Sequence, residues 1–239
     1  MANKTSGKLY GVGIGPGDPE LLTLKALRLI QGAPVLAYPA PDVGDSLARS
    51  IVADHLPGGQ VEYPIRIPMV TERFPAQDVY DKAAEDLSVY LEAGQDVVVL
   101  CEGDPFFYGS FMYLFGRMME RFEVEVVPGV SSLMACAAMV GAPLAARNDV
   151  MTIIPGPVDA EIMKQRLRNV QAAAIIKVGR HFEKIRSILE ELDLVDCARY
   201  VERATMDNQK VMPLSEVGDA KAPYFSMILI HKRGEAWTL

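Results

Sequence analysis

The sequence predicts an α/β protein made of two α/β domains, the N-terminal one around a mostly parallel sheet and the C-terminal one around a mixed sheet. Three observations predict it. Short apolar runs alternate with longer amphipathic ones through the first half of the chain, the pattern of βαβ units with helices on both faces of a sheet. The last three apolar runs are joined by short connections, which fits antiparallel pairing. Half of the 239 residues are apolar, enough for a sizeable core.

A first strand is expected over 9–15 (LYGVGIG), then strands at 34–39, 60–68 and 96–103, with helices near 19–31, 45–56 and 76–93 between them. The pattern then changes. A helix near 106–119 leads to strands at 123–129, 151–156, 173–179, 198–204, 209–214 and 225–232, with helices at 131–141, 159–169 and 181–192. The change divides the chain into domains 1–121 and 122–239, with a margin of about ten residues. No low-complexity linker separates the halves, so they are expected to pack rigidly, with a cleft between them as the default ligand site.

A formal net charge of −7 argues against a nucleic-acid binder, which usually carries a basic surplus. Cys101, Cys136 and Cys197 lie far apart without a CxxC pair, and His55, His181 and His231 are isolated. Neither a disulfide framework nor a metal site is expected from such spacing. No signal-peptide-like stretch stands at the N-terminus and no run approaches the ~18 apolar residues of a membrane span, so the expectation is a soluble cytoplasmic protein.

The segment GVGIGPGDPELLT (11–23) joins the first strand to the first helix. Asp18 is a good N-cap, Pro19 suits the first helical position, and Gly32 can end the helix in a left-handed conformation. Two phosphate-binding readings fail. Pro16 stands where GxGxxG needs its third glycine, and no Lys-Ser/Thr pair completes a P-loop. What remains is a tight turn, either bare or facing a ligand.

The same strand, Gly-Asp-Pro turn and helix recur at Gly103-Asp104-Pro105. Ligands of open parallel sheets gather outside the carboxyl ends of the strands, where Asp104 stands. Asp104 either caps the following helix or meets a ligand there. Phe106, Phe107 and Tyr108 follow, and three consecutive aromatics cannot share one helix face, so at least one is expected to line a cavity or interface. At 128–132, Pro128-Gly129 ends a strand and Ser131-Ser132 opens a helix. Those serines either cap the helix or, with its free N–H groups, bind a carboxylate or ribose.

In composition and order, GVGIGPGDPELLT, EGDPFFYGS, VVPGVSS, IIKVG and VERAT resemble the motifs of the tetrapyrrole methylases, also called class III methyltransferases. The resemblance covers nearly the whole chain. It implies two α/β domains with an active-site trough between them, usually in a homodimer. It also implies S-adenosylmethionine as methyl donor, S-adenosylhomocysteine as product, and no metal. Carried over motif by motif, Gly103 and Asp104, with Phe106 just beyond, and Ser131 and Ser132 would hold the methionine part of the donor. Val178 and Ala204 would offer backbone groups to the adenine, and Ser226 and Met227 would close that pocket. Pro16 and Asp18 would shape the trough floor. LYGVGIGPGDPELLTLKA, GDPFFYGSF, IIKVGR and YFSMIL further resemble the members that methylate C20 of precorrin-2 in cobalamin biosynthesis. Cobalt-precorrin-2, or another ring carbon, stands as the alternative.

Methyl transfer from a sulfonium to carbon is an in-line displacement, in which proximity and orientation supply about 7–11 kcal/mol of the barrier. The ring carbon itself attacks, so no nucleophilic side chain is required. Asp104 keeps two readings: it steadies the cationic intermediate or takes its proton, or it only binds the donor's amino group. A polycarboxylate ring requires local cations. Arg66, Arg73, Arg147, Lys177, Arg180 and His181 are the candidates, and Lys177 stands out at the end of the apolar run AAII.

Overall fold

The computed structural model describes residues 6–67, 75–218 and 222–232. The chain divides into two compact units, Met1–Ser131 and Ser132–Leu239. The first is built on a parallel sheet of β1 (Leu9–Gly13), β2 (Val35–Pro41), β3 (Val61–Ile67), β4 (Val97–Cys101) and β5 (Val124–Val127), in the order β3-β2-β4-β1-β5. Its helices are α1 (Leu24–Gly32), α2 (Leu47–Val52), α3 (Pro75–Glu92) and α4 (Phe111–Met118).

Alternation along the strands creates two cores. Val97, Val99 and Cys101 join Leu87 and Leu91 of α3 and Leu114 and Met118 of α4. Val98 and Leu100 join Ala26 and Ile30 of α1 and Ile51 of α2. Every residue of β4 is therefore buried, and for that reason it reads as an unbroken apolar run. The prolines sit where they cost least. Pro64 is in edge strand β3, and Pro39 and Pro41 lie past Ala37, where pairing of β2 with β4 ends.

The start and end of α1 depart from expectation. Asp18 Oδ1 accepts from the Glu20 N–H at 2.8 Å, but this caps only a 3-10 turn at Pro19–Leu21. The α-helix begins after Thr23, whose Oγ1 accepts from the Ala26 N–H at 3.1 Å. Gly32 does not turn left-handed, and Ala33 after it is extended. The end of α1 is satisfied from a distance instead. The Gln60 side-chain amide donates to the carbonyls of Ile30 (2.8 Å) and Ala33 (2.7 Å).

The second unit carries β6 (Met151–Pro155), β7 (Ala172–Ile176), β8 (Ala198–Glu202), β9 (Lys210–Pro213) and β10 (Ser226–His231), in the order β6-β7-β10-β8-β9. Only β6 and β7 pair in parallel, so this sheet is mixed, as expected. The helices α6 (Ala160–Leu167) and α7 (Phe182–Glu191) share one core with Ile154, Ile175, Tyr200 and Ile228. α5 (Ser132–Val140) packs against β8, β9 and β10. No helix among the described residues is long and apolar enough to cross a membrane.

Replacing Gln60 by Ala leaves two helix-end carbonyls without their donor. The expected cost is about 1–3 kcal/mol, read as a lower urea midpoint with an unchanged m-value. An unchanged midpoint would mean that water satisfies that helix end equally well.

Candidate active site

In the first unit, three strand ends meet backbone to backbone. Gly15 and Gly103 exchange hydrogen bonds just past β1 and β4, Gly15 N–H to the Gly103 carbonyl at 3.3 Å and Gly103 N–H to the Gly15 carbonyl at 2.7 Å. A Cβ on Gly13 would lie 2.5 Å from the Gly129 nitrogen and 2.7 Å from the Gly103 oxygen. A Cβ on Gly129 would collide with that same oxygen. Only glycine allows this contact, because main-chain atoms block the space on every side. Pro16, buried beside Gly15, is thereby held next to the Gly103 turn.

Asp104 fastens the assembly. Its Oδ1 accepts from the N–H groups of Phe106 (2.9 Å) and Phe107 (3.1 Å), and its Oδ2 accepts from the Gly129 N–H at 3.1 Å. The carboxylate thus ties the β4 loop to the loop after β5. The helix expected from 106 begins only at Phe111. The Asp104 turn takes up the intervening residues, Tyr108 adopts a left-handed φ of 56°, and a Cβ on Gly109 would lie 2.5 Å from the Pro105 carbonyl oxygen. Phe106 is half exposed and sets its ring edge-on to Phe115 at 5.1 Å. Ser131 ends this unit.

Glu102, just before the turn, is half-buried, and burial pushes its carboxyl above the usual carboxylate range. Burial also raises the thiol of Cys101, which makes it an unreactive core group.

In the second unit the antiparallel placement of β10 between β7 and β8 brings the carboxyl ends of β7 and β8 to the start of β10. Ser226 pairs with Glu202 and Met227 with Val201. Val178, Ala204, Ser226 and Met227 therefore lie at one sheet edge, and all four are buried. Ser132, at the start of α5, is exposed. The backbone turns sharply at this edge: Lys177, Arg203 and Thr205 have φ of 55°, 48° and 68°. Four of the six left-handed non-glycine residues among those described lie in the segments that follow β4, β7 or β8, Lys177 and Arg203 directly after their strands, and such strain concentrates at functional sites.

Glu202 was missed in the sequence, although VERAT contains it. It is buried, accepts from the Tyr200 hydroxyl at 2.8 Å, and lies 3.3–3.4 Å from Lys210 and Arg203. Burial, then the Glu202 bond, raise the Tyr200 phenol. The Ser226 hydroxyl donates to the Pro223 carbonyl at 2.7 Å, fixing the strand's entry.

Lys177, Arg147 and Arg180 are exposed, and Arg180 Nε lies 3.4 Å from His181 Nε2. Arg66 donates to the carbonyls of Pro41 (2.9 Å) and Asp42 (3.3 Å) near the carboxyl end of β2. Arg73 lies outside the described residues. Among the described residues no three His, Cys, Asp or Glu side chains are grouped to hold a metal ion.

The pattern of the tetrapyrrole (corrin/porphyrin) methylases matches residues 8–218. The chain belongs to this family. A tetrapyrrole methylase of a Sinorhizobium species, precorrin-2 C(20)-methyltransferase, is 42% identical over 96% of this chain and 97% of its own. Cobalt-precorrin-2 C(20)-methyltransferase of Salmonella typhimurium is 33% identical over 96% and 98%. Among solved structures, the uroporphyrin-III C-methyl transferase of Thermus thermophilus complexed with S-adenyl homocysteine matches with a TM-score of 0.67 at 26% identity, covering 95% of this chain and 98% of that one.

Two outcomes follow from the geometry. Asp104→Asn replaces one acceptor oxygen by a donor facing backbone N–H groups. It should lower unfolding stability by about 1–3 kcal/mol in denaturant titration, whereas unchanged stability with collapsed turnover would assign Asp104 a chemical role instead. Glu102 has a raised folded-state pKa, so its contribution favours folding at low pH and is lost as pH rises through that raised value. Glu102→Gln should accordingly melt above the wild type at about pH 8 and converge with it near pH 4. A difference that grows towards acid would reverse the assignment.

Proposed function

We propose that this tetrapyrrole methylase transfers a methyl group from S-adenosylmethionine to C20 of precorrin-2, giving precorrin-3A in cobalamin biosynthesis. The observation that carries the acceptor is 42% identity over nearly full length to a precorrin-2 C(20)-methyltransferase. The metal-free ring is favoured because identity to the cobalt-precorrin-2 relative is lower, at 33%. The protein is proposed to work in the cytoplasm as a homodimer.

An adenosyl group needs an apolar slot edged by a few polar groups. The buried edge of Val178, Ala204 and Met227, with Ser226 beside them, fits that need. Gly103, Asp104, Phe106, Ser131 and Ser132 are assigned to the methionine part of the donor. Pro16, Asp18, Lys177 and Arg180 are assigned to the tetrapyrrole. When bound, the donor supplies an electrophilic methyl on sulfur. The residues of this chain orient the two substrates, and in-line alignment can supply about 7–11 kcal/mol of the barrier. The three main-chain N–H groups on Asp104 support a part in holding the donor loop in place, and steadying the cationic intermediate or taking its proton is the alternative that Asp104→Asn separates from it.

The deciding measurement offers the enzyme precorrin-2 and cobalt-precorrin-2 with carbon-13-labelled donor and locates the new methyl by NMR. A labelled methyl on C20, formed faster on the metal-free ring, is expected. Label on another carbon, or faster turnover of the cobalt form, would overturn the respective part of the assignment.

A further inference from the structure

The carboxyl of Glu102 is a cost that the fold does not need. Glu102 stands at the bend between β4 and the Gly103 turn. The main chain on either side of it is fixed to β1 and its loop. The Cys101 carbonyl accepts from the Ile14 N–H at 3.0 Å, and the Gly103 N–H donates to the Gly15 carbonyl at 2.7 Å. Across a trans peptide the N–H points opposite to the carbonyl, so the N–H and C=O of Glu102 face away from β1, towards the β2 side. Pairing of β2 with β4 has already ended at Ala37 and Val99, and β2 continues with Pro39 and Pro41, which have no N–H. No ladder bond therefore takes up this side of Glu102, at the carboxyl end of the sheet where ligands gather.

Among the described residues, the hydrogen bond that favours its charged form comes from its own main-chain N–H, and no cation offsets the cost of burial. The groups that feel its charge are Cys101 of β4 and Tyr80 of α3, both pushed up chiefly by burial and further by Glu102. Glutamine would accept the same N–H without bringing a charge out of water. A half-buried carboxyl retained at such a place, with neither a cation nor a second donor, fits a chemical use better than a structural one.

We propose that Glu102 is the catalytic base that takes the proton from C20 once the methyl group has been transferred. This rests on the C20 reading above and names the residue for its proton step. C20 forms its bond to the methyl carbon as the carbon–sulfur bond breaks, and S-adenosylhomocysteine is released. C20 then carries both a methyl and a hydrogen, and the ring carries a positive charge. The Glu102 carboxylate takes that hydrogen as a proton, and the C–H electron pair returns to the conjugated ring. The resulting carboxylic acid passes its proton to water. Glu102 lies two residues before Asp104, whose loop is assigned to the methionine part of the donor, the part that carries the methyl. Burial without a cation makes a carboxylate a stronger base, which suits removal of a proton from carbon.

Glu102→Gln keeps size and the bond to the main-chain N–H, and by the linkage above it should melt no lower than the wild type at about pH 8. It is expected to lower kcat about a hundredfold or more, with KM for precorrin-2 and S-adenosylhomocysteine affinity by calorimetry close to those of the wild type. Precorrin-2 deuterated at C20 supplies the deciding comparison. Breaking of the C20–H bond should limit the variant, so its deuterium isotope effect on turnover should exceed that of the wild type. Unchanged turnover overturns the proposal, as does a loss of turnover without a larger isotope effect. A parallel loss of precorrin-2 or donor-product binding, or failure of the variant to fold, also overturns it. An isotope effect enlarged by Asp104→Asn and not by Glu102→Gln gives the proton to Asp104 instead. A wild type that methylates another carbon defeats the C20 reading, and the same comparison with deuterium at that carbon then decides on Glu102.

Discussion

The contact between the main chains of Gly13, Gly103 and Gly129 is the constraint on which the first unit's loops depend. Parallel strands normally leave their carboxyl ends about one strand spacing apart, with side chains between the loops that follow. Here the loops after β1, β4 and β5 touch directly, and Asp104 then bridges them with three hydrogen bonds to main-chain N–H groups. The Asp104 turn delays the start of α4 to Phe111 and sets the aromatic residues on a turn rather than a helix. A side chain at Gly13 or Gly129 would push these loops apart.

The second unit reaches a comparable result by different means. Its edge is shaped by left-handed residues that are not glycine, and by a polar network running from Tyr200 through Glu202 to Lys210 and Arg203. Buried polar groups that are fully paired specify one arrangement of their strands. β8, β9 and β10 are held in register at the end where Ala204 and Ser226 lie.

The strands were legible because β4, β7 and β10 are almost wholly buried and so carry unbroken apolar runs. Five motifs in order made the family legible too. Helix ends were less so. Gly32 looked like a terminator, yet the residue that finishes α1 is Gln60, distant in sequence and brought close only by the fold. Asp104 was visible as a cap, but its bond to Gly129 spans 25 residues and no local pattern announces it. The left-handed Tyr108 was equally hidden, since aromatic residues carry no preference for that conformation. Local chemistry shows through a sequence; long-range backbone contacts do not.

The placement of β1 has a consequence during synthesis. It precedes both of its partners in the chain, for Leu9 pairs with Val97 on one side and Val124 on the other. A chain emerging from the ribosome therefore carries β1 with both edges open until β4 is complete, and with one edge open until β5 is. Open edges recruit whatever strand is nearby, and distant parallel pairing is slow. Gly11 and Gly13 make β1 an indifferent strand by itself, because glycine weakens pairing and packs no side chain. Gly13, which lets main chains touch in the finished sheet, thus also weakens the hold of the nascent strand on a wrong neighbour.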